Sequence, residues 1–151
     1  MNILDVLRTE TIKVPLISSD KRGAIDELVD VLDQAGMITD ADTLRDVVWE
    51  REQQRTTGIG EGLAIPHGKC NVSSQLVMAI GVPSQPIEFN SVDKKPVRFI
   101  VLLSSPPDKT SDHIQALGRI SRLMSDTAFR DQAYAADSAE SLFKLFAEAE
   151  D

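Results

Sequence analysis

The sequence lacks the features that export, membrane insertion and disulfide cross-linking require. Its 151 residues include one cysteine, Cys70, so no disulfide can form within the chain and a reducing compartment is expected. No apolar run approaches the roughly 20 residues that span a bilayer. The N-terminal segment MNILDVLRTE has neither the basic start nor the apolar core of a signal peptide. We therefore expect a cytoplasmic protein without membrane insertion.

Basic residues are also few. The chain has 16 lysines and arginines against 24 aspartates and glutamates, which gives a net charge of −8. A protein that binds nucleic acid normally needs a basic face, so we expect no nucleic-acid partner. The acidic balance instead suits a protein partner that carries a basic patch.

The remaining composition is that of an ordinary globular domain, which we place at residues 1–151. The hydrophobic fraction is 42%, and neither internal repeats nor low-complexity segments occur. Apolar periodicity predicts extended segments at 11–19, 75–82, 86–89 and 96–105, and helices at 19–36, 40–53, 113–126, 127–137 and 139–150. This alternation is typical of an α/β protein, and we expect the last two helices to cover one face or edge of the sheet.

Half of the glycines lie in the segment 56–70, TTGIGEGLAIPHGKC. Its GIGEGLA run superficially matches a dinucleotide-binding fingerprint, which requires a strand before the glycines and a helix after them. Here a helix precedes the glycines, and Pro66 would interrupt a helix that followed them. We therefore reject a nucleotide site, and expect the glycines to end the preceding helix and to allow close backbone packing.

The same segment contains His67, one of two histidines. The Ile65–Pro66 step holds the chain extended before it, and we expect Gly68 to leave space beside the ring. One interpretation is a structural histidine at a strand end. The rigid mounting favours the other interpretation, a ring presented to a partner.

Arg51 follows the apolar stripe of the second helix, which consists of Leu44, Val47 and Val48. It either lays its stem on the core with its head in water or points its guanidinium into a cleft at the helix end.

His113 begins the helix after the predicted strand 96–105, and catalytic groups in α/β proteins gather at strand ends. It lies near the inner face of that helix, for which we predict Ile114, Leu117, Ile120 and Met124. The alternative is a histidine that bonds to nearby backbone.

Two imidazoles and a guanidinium together suit a site that handles phosphate. A neutral imidazole nitrogen can attack phosphorus, and arginine can bind phosphoryl oxygens with two parallel hydrogen bonds. Thr56 and Thr57 would add hydroxyl donors. The competing hypotheses are weaker: a zinc site through His67 and Cys70 has an incomplete ligand set, and a serine hydrolase lacks its Gly-x-Ser-x-Gly motif.

Residues 51–69, REQQRTTGIGEGLAIPHGK, resemble the active-site signature of the mannitol/fructose-type IIA domain of the bacterial phosphoenolpyruvate-dependent sugar phosphotransferase system. The resemblance extends over nearly the whole chain. Within that family, the sequence of the segment 56–69 and the stand-alone length are most similar to those of the nitrogen-regulatory IIA branch.

The resemblance implies roles for three residues. His67 matches the histidine that the family phosphorylates, Arg51 matches the arginine that assists phosphoryl binding, and His113 matches a supporting histidine that is not itself phosphorylated. The implied fold is a single-domain α/β sandwich in which helices flank a mixed sheet. No cofactor or metal is implied.

The resemblance also implies partners. The family takes its phosphoryl group from the small carrier protein HPr or a paralogue. Transport members then pass it to a IIB domain, whereas regulatory members use it as a signal to target proteins. The alternatives are a sugar-specific fructose or mannitol component and a regulatory binding module without turnover. Docking of a carrier requires an apolar surround, for which we predict Leu63, Ile65 and Val72.

Overall fold

A mixed six-stranded sheet organises residues 2–150, the part of the chain that this computed structural model describes. The strands are β1 (Ile12–Leu16), β2 (Gly58–Gly60), β3 (Leu63–Ala64), β4 (His67–Lys69), β5 (Val77–Pro83) and β6 (Phe99–Ser105). Their order is β1-β5-β6-β3-β2, and β4 continues the line of β3 along β6. β5 is antiparallel to β6, whereas β1 is parallel to β5, and β3 and β4 are parallel to β6. The predicted mixed sheet is therefore confirmed.

Five α-helices occur within residues 2–150, as predicted. They are α1 (Lys21–Gln34), α2 (Ala41–Gln54), α3 (Thr110–Ser125), α4 (Thr127–Tyr134) and α5 (Ala139–Glu150). The side chain of Asp20 accepts a hydrogen bond from the Gly23 N–H at 2.8 Å and so caps α1, and Asp40 caps α2 in the same way through Thr43. None of the helices described is both long and apolar enough to cross a membrane.

The helices form two layers, one on each face of the sheet. Along β6, Val101 and Leu103 belong to the core that α3, α4 and α5 cover, whereas Ile100 and Leu102 belong to the core beneath α1 and α2. This arrangement is the predicted α/β sandwich, and it places α4 and α5 on one face as expected. It also brings the C-terminal end of α2 and the start of α3 to the same end of β6.

The inner face of α3 differs from the prediction at its first turn. Ile114 is 62% exposed, and the buried positions of this helix are His113, Ala116, Ile120 and Met124. These positions recur every three or four residues, which is the helical repeat, and Ile114 lies about 100° away from them. A histidine thus occupies the core position that we had assigned to isoleucine.

Candidate active site

The three predicted site residues meet at one cleft. His67 is the first residue of β4, Arg51 lies in the last turn of α2, and His113 lies in the first turn of α3. All three line a cavity of about 460 Å³, together with Val47, Gly68, Lys69 and Leu117. The rings of His67 and His113 lie edge to face, with centroids 5.2 Å apart.

Backbone pairing holds His67 at the end of β6. The Leu103 N–H donates to the Pro66 carbonyl at 3.0 Å, and the Ile65 N–H donates to the Thr57 carbonyl at 3.1 Å. The Ile65 carbonyl then lies 2.8 Å from Nδ1 of His67. A carbonyl only accepts hydrogen bonds, so Nδ1 carries the proton and Nε2 keeps its lone pair in the neutral ring.

The surroundings of His67 keep its ring neutral. Burial is the main cause that lowers the pKa of His67, and the positive charges of Arg51 and Lys69 lower it further. The hydrogen bond to Ile65 and the charge of Glu52 act in the opposite direction, with a smaller net effect. Because protonated imidazole has no free lone pair, the lowered pKa preserves a nucleophile at neutral pH.

His113 is more strongly shifted. Its side chain is 4% exposed, and Ser105 Oγ lies 2.7 Å from its Nδ1. Burial is the largest cause that lowers the pKa of His113 to about 4, and repulsion by the imidazolium of His67 that forms at acidic pH and by Lys69 lowers it further. The second imidazole is therefore also neutral at physiological pH.

This shift predicts that the free energy of unfolding decreases as the pH falls from about 6.5 to about 4. His113 has a pKa near 6.5 when unfolded and about 4 when folded, so the unfolded chain binds the proton first. The expected contribution of His113 over this window is roughly 2 to 3 kcal/mol. Urea unfolding of wild type and His113→Asn at neutral and acidic pH measures it. Equal losses in the two proteins would show that His113 does not titrate in this way.

Arg51 adopts the cleft orientation rather than lying only on the core. It is half-buried, lines the cavity beside His67, and its Nη1 donates to the Arg55 carbonyl at 2.9 Å. The buried stripe of α2 passes instead through Leu44, Val48 and Glu52.

Gly68 allows a close contact between β4 and α2 that the sequence did not predict. A Cβ at this position would lie 2.8 Å from Cγ1 of Val47 and 3.2 Å from Cγ2 of Val48, so a side chain here would collide with α2. The expectation that Gly68 also leaves space beside the ring of His67 stays a prediction. The glycine lets β4 pack directly on α2, and this contact brings Arg51 close to His67.

The preceding glycines form a hairpin, which agrees with the rejection of a nucleotide site. They lie in β2 and in the turn to β3, where Gly60 and Gly62 have φ of +109° and +82°. A Cβ at Gly58 would collide with Ser91, so the expected close packing is confirmed. The expected helix terminator was wrong, because α2 ends at Gln54 and Arg55 is already extended.

The hydroxyl groups of Thr56 and Thr57 are not directed at a phosphoryl group, contrary to the prediction. Thr56 Oγ1 donates to the Phe89 carbonyl at 2.6 Å, and Thr57 Oγ1 donates to the carboxylate of Glu52. Each hydroxyl hydrogen is thus already used within the fold.

Glu52 is a site residue that the sequence analysis missed. It is 3% exposed and accepts hydrogen bonds from the Thr57 N–H at 2.9 Å, from the Thr57 hydroxyl, and from Lys21 Nζ at 3.0 Å. Thr57 in turn accepts from Ile65, whose carbonyl orients His67. Its position four residues after Val48 was the available signal, because it continues the buried face of α2.

Removing the cation from the ion pair between Lys21 and Glu52 should destabilise the protein. We expect Lys21→Met to lower the free energy of unfolding by about 2 to 3 kcal/mol, because it leaves the buried carboxylate of Glu52 without its cation. The double variant Lys21→Met/Glu52→Gln should recover part of that loss. Urea denaturation measures all three proteins.

Arg45, which lies on α2 like Glu52, provides the matched control for the Lys21 variant. It pairs with Asp30 and Asp42, whose side chains are 50% and 92% exposed. Arg45→Met should therefore cost less than about 1 kcal/mol. A Lys21→Met variant as stable as Arg45→Met would contradict the importance of the buried pair.

The apolar surround of His67 agrees with the prediction at one of the three residues named. Ile65 lines the cleft beside His67, whereas Leu63 and Val72 are buried away from it, so the expectation was wrong for these two residues. Ile59 and Val92 are 51% and 66% exposed, and they line a second cavity of about 320 Å³ that also opens on Arg51 and His67.

The charge around the site is opposite to that of the whole chain. The residues that line the two cavities include Arg51, Arg55 and Lys69 and no carboxylate, although the net charge of the chain is −8. The cleft thus suits an anionic group, although the protein as a whole is acidic.

Cys70 lies apart from this cleft. It is buried in the core beneath α1 and α2, and burial raises the pKa of its thiol. Across residues 2–150, no three or more histidine, cysteine or acidic side chains are grouped in a way that could hold a metal ion. The structure therefore gives the zinc hypothesis no further ligand for His67 and Cys70.

A comparison with known families identifies the class of protein that has this fold and cleft. Residues 5–149 match the family model described as phosphoenolpyruvate-dependent sugar phosphotransferase system, EIIA 2. The chain belongs to this family, which confirms the resemblance inferred from residues 51–69. It is an EIIA phosphocarrier and thus a phosphotransferase component of that system.

Relatives divide between two kinds of EIIA protein. The chain is 32% identical over 145 residues to the fructose-specific EIIABC component of Bacillus subtilis, which covers 96% of this chain and 23% of that protein. It is also 32% identical over 149 residues to a nitrogen regulatory protein of Bradyrhizobium diazoefficiens. That match covers 97% of this chain and 95% of the relative. The chain therefore spans less than a quarter of the first relative and nearly all of the second.

Solved structures share the fold. Nitrogen regulatory protein IIA-Ntr from Neisseria meningitidis matches with a TM-score of 0.86 and 26% identity, covering 95% of this chain and 98% of that one. Mannitol enzyme IIA from Escherichia coli, solved in complex with phosphorylated enzyme IIB, matches with a TM-score of 0.80 and 17% identity, covering 94% and 97%.

Proposed function

We propose that His67 accepts the phosphoryl group through Nε2. The observation that carries this assignment is the 2.8 Å contact between His67 Nδ1 and the Ile65 carbonyl, which leaves the lone pair on Nε2. In the reaction, the Nε2–P bond forms as the nitrogen–phosphorus bond of the donor breaks, and the electron pair of that bond returns to the donor nitrogen. The proton on Nδ1 stays in place, where the carbonyl offsets the positive charge that develops on the ring.

The other groups of the cleft compensate the charge of the phosphoryl group. Arg51 lines the same cavity as His67 and binds the oxygens of the phosphoryl group, while Lys69 adds a second positive charge. Transfer from the phosphohistidine of the donor to a histidine of the acceptor is nearly isoenergetic, so alignment and charge compensation supply most of the catalysis. On this account, the reaction needs neither a cofactor nor a metal.

The phosphoryl donor in this proposal is HPr or an HPr-like carrier protein in the cytoplasm, and residues 1–151 act as one IIA domain. A carrier must approach closely enough for its own histidine to reach His67. The exposed apolar side chains of Ile59 and Val92 beside the cleft support such docking.

We favour a regulatory role, in which the phosphorylation state of the protein acts as a signal to target proteins. Nitrogen regulatory relatives support it, and the IIA-Ntr structure matches this chain with a TM-score of 0.86, against 0.80 for mannitol enzyme IIA. Transfer to a IIB domain is the second candidate, supported by the fructose-specific relatives. Mixing phosphorylated protein with a purified fructose IIB domain distinguishes the two, because only a transport component would lose its phosphoryl group rapidly.

Incubation with phosphoenolpyruvate, enzyme I and HPr tests the proposed function. The protein should acquire one phosphoryl group that is labile in acid and stable in base, which is the behaviour of phosphohistidine. Omission of HPr should prevent labelling. A protein that remains unlabelled with all components, or that forms an acid-stable adduct, would contradict the proposal.

A further inference from the structure

Ser105 is a buried polar residue whose role the proposed reaction leaves open. It is the last residue of β6, it is 0% exposed, and its Oγ lies 2.7 Å from Nδ1 of His113. Within residues 2–150, this is the one hydrogen bond that the Ser105 hydroxyl makes. The contact therefore decides where both groups place their hydrogens.

Hydrogen accounting favours one arrangement of this pair. A buried hydroxyl hydrogen needs an acceptor, and Nδ1 of His113 is the acceptor within reach. If Nδ1 carried the ring proton, it would donate to Ser105 Oγ and leave the hydroxyl hydrogen unpaired. When Ser105 donates instead, Nδ1 accepts and the proton of the neutral ring lies on Nε2.

We propose that Ser105 is a positioning residue that holds His113 in the tautomer with the proton on Nε2, so that His113 donates a hydrogen bond to the phosphoryl group on His67. The inference rests on the proposed function for the identity of that group. The ring centroids of the two histidines lie 5.2 Å apart, so a phosphoryl group on His67 is within reach of the His113 ring. The His113 proton is shared with a phosphoryl oxygen and stays on its nitrogen, so no bond to it breaks during transfer.

The two histidines then have opposite tautomers and different tasks. The Ile65 carbonyl places the proton of His67 on Nδ1 and frees Nε2 as the nucleophile. The Ser105 hydroxyl places the proton of His113 on Nε2 and makes that nitrogen a donor. Two identical side chains are thus distinguished by one acceptor and one donor from the fold.

NMR correlation of the ring nitrogens with their carbon-bound protons tests the tautomer in the unphosphorylated protein. We expect Nε2 of His113 to be protonated and Nδ1 to be bare in wild type, and a shift toward the other tautomer in Ser105→Ala. Ser104→Ala is the matched control, because Ser104 is the preceding buried residue of β6, on the opposite face, and bonds to neither histidine. A protonated Nδ1 of His113 in wild type would overturn the proposal.

Transfer rates test the consequence for the phosphoryl group. Ser105→Ala should accept the phosphoryl group from HPr about tenfold more slowly, whereas Ser105→Thr, which keeps the hydroxyl, should recover most of the rate. A changed tautomer with an unchanged rate would overturn the donor role of His113. Failure of the proposed function is a separate result, since then wild type itself would not be labelled.

Discussion

Replacing His67 by alanine should abolish phosphoryl acceptance from the carrier, with a loss of at least about a thousandfold in rate. The variant lacks Nε2 of His67, which keeps a free lone pair in a ring that lines the cleft. His67 is half-buried in a short strand, so we expect the variant to remain folded. Labelling by phosphoenolpyruvate through enzyme I and HPr, followed over time, measures the rate.

The neighbouring ring supplies the matched control for this experiment. His113→Ala removes an imidazole from the same cleft but leaves Nε2 of His67 in place, so transfer should be slowed and not lost. Labelling of His67→Ala at the wild-type rate would remove His67 from the reaction. Complete loss in His113→Ala with normal labelling of His67→Ala would exchange the two roles.

Arg51→Ala should slow phosphoryl acceptance about a hundredfold while leaving the fold intact. The guanidinium is the charged group that both cavities beside His67 share, and removal of one such stabilising donor typically costs a hundredfold or more. The loss should appear mainly in the maximal rate rather than in carrier affinity, because the phosphoryl charge is most exposed during transfer.

Arg55 provides the control for charge alone. It also lines one of the cavities, and its contact with Arg51 uses the backbone carbonyl, which Arg55→Ala retains. We expect Arg55→Ala to slow transfer less than about threefold. Equal losses in the two variants would mean that the cleft responds to net positive charge, and not to a positioned guanidinium.

Local patterns were enough to predict the five helices, three of the six strands within residues 2–150, and the three residues that meet at the cleft. Apolar periodicity predicted the five helices and the strands β1, β5 and β6, since both signals depend on neighbours within a few residues. Residues 51–69 then indicated the family, and the resemblance assigned His67, Arg51 and His113 to one site. Their convergence in space is a property of the structure, and their roles remain predictions.

The rest of the site depends on contacts between distant segments. Glu52 is buried because Lys21 from another helix reaches it, and Gly68 is required because α2 packs against β4. Neither partner can be found from the local sequence. Ile114 shows a related error, because periodicity alone could not decide which side of the first turn of α3 faces the core.

The most direct test of the account is the position of the phosphoryl group in the phosphorylated protein. NMR spectra that resolve the ring nitrogens of both histidines before and after phosphorylation give this position. We predict that the phosphoryl group is bound to Nε2 of His67, that Nδ1 keeps its proton, and that His113 remains unmodified. Phosphorylation at Nδ1 of His67, or at any other side chain, would contradict the account.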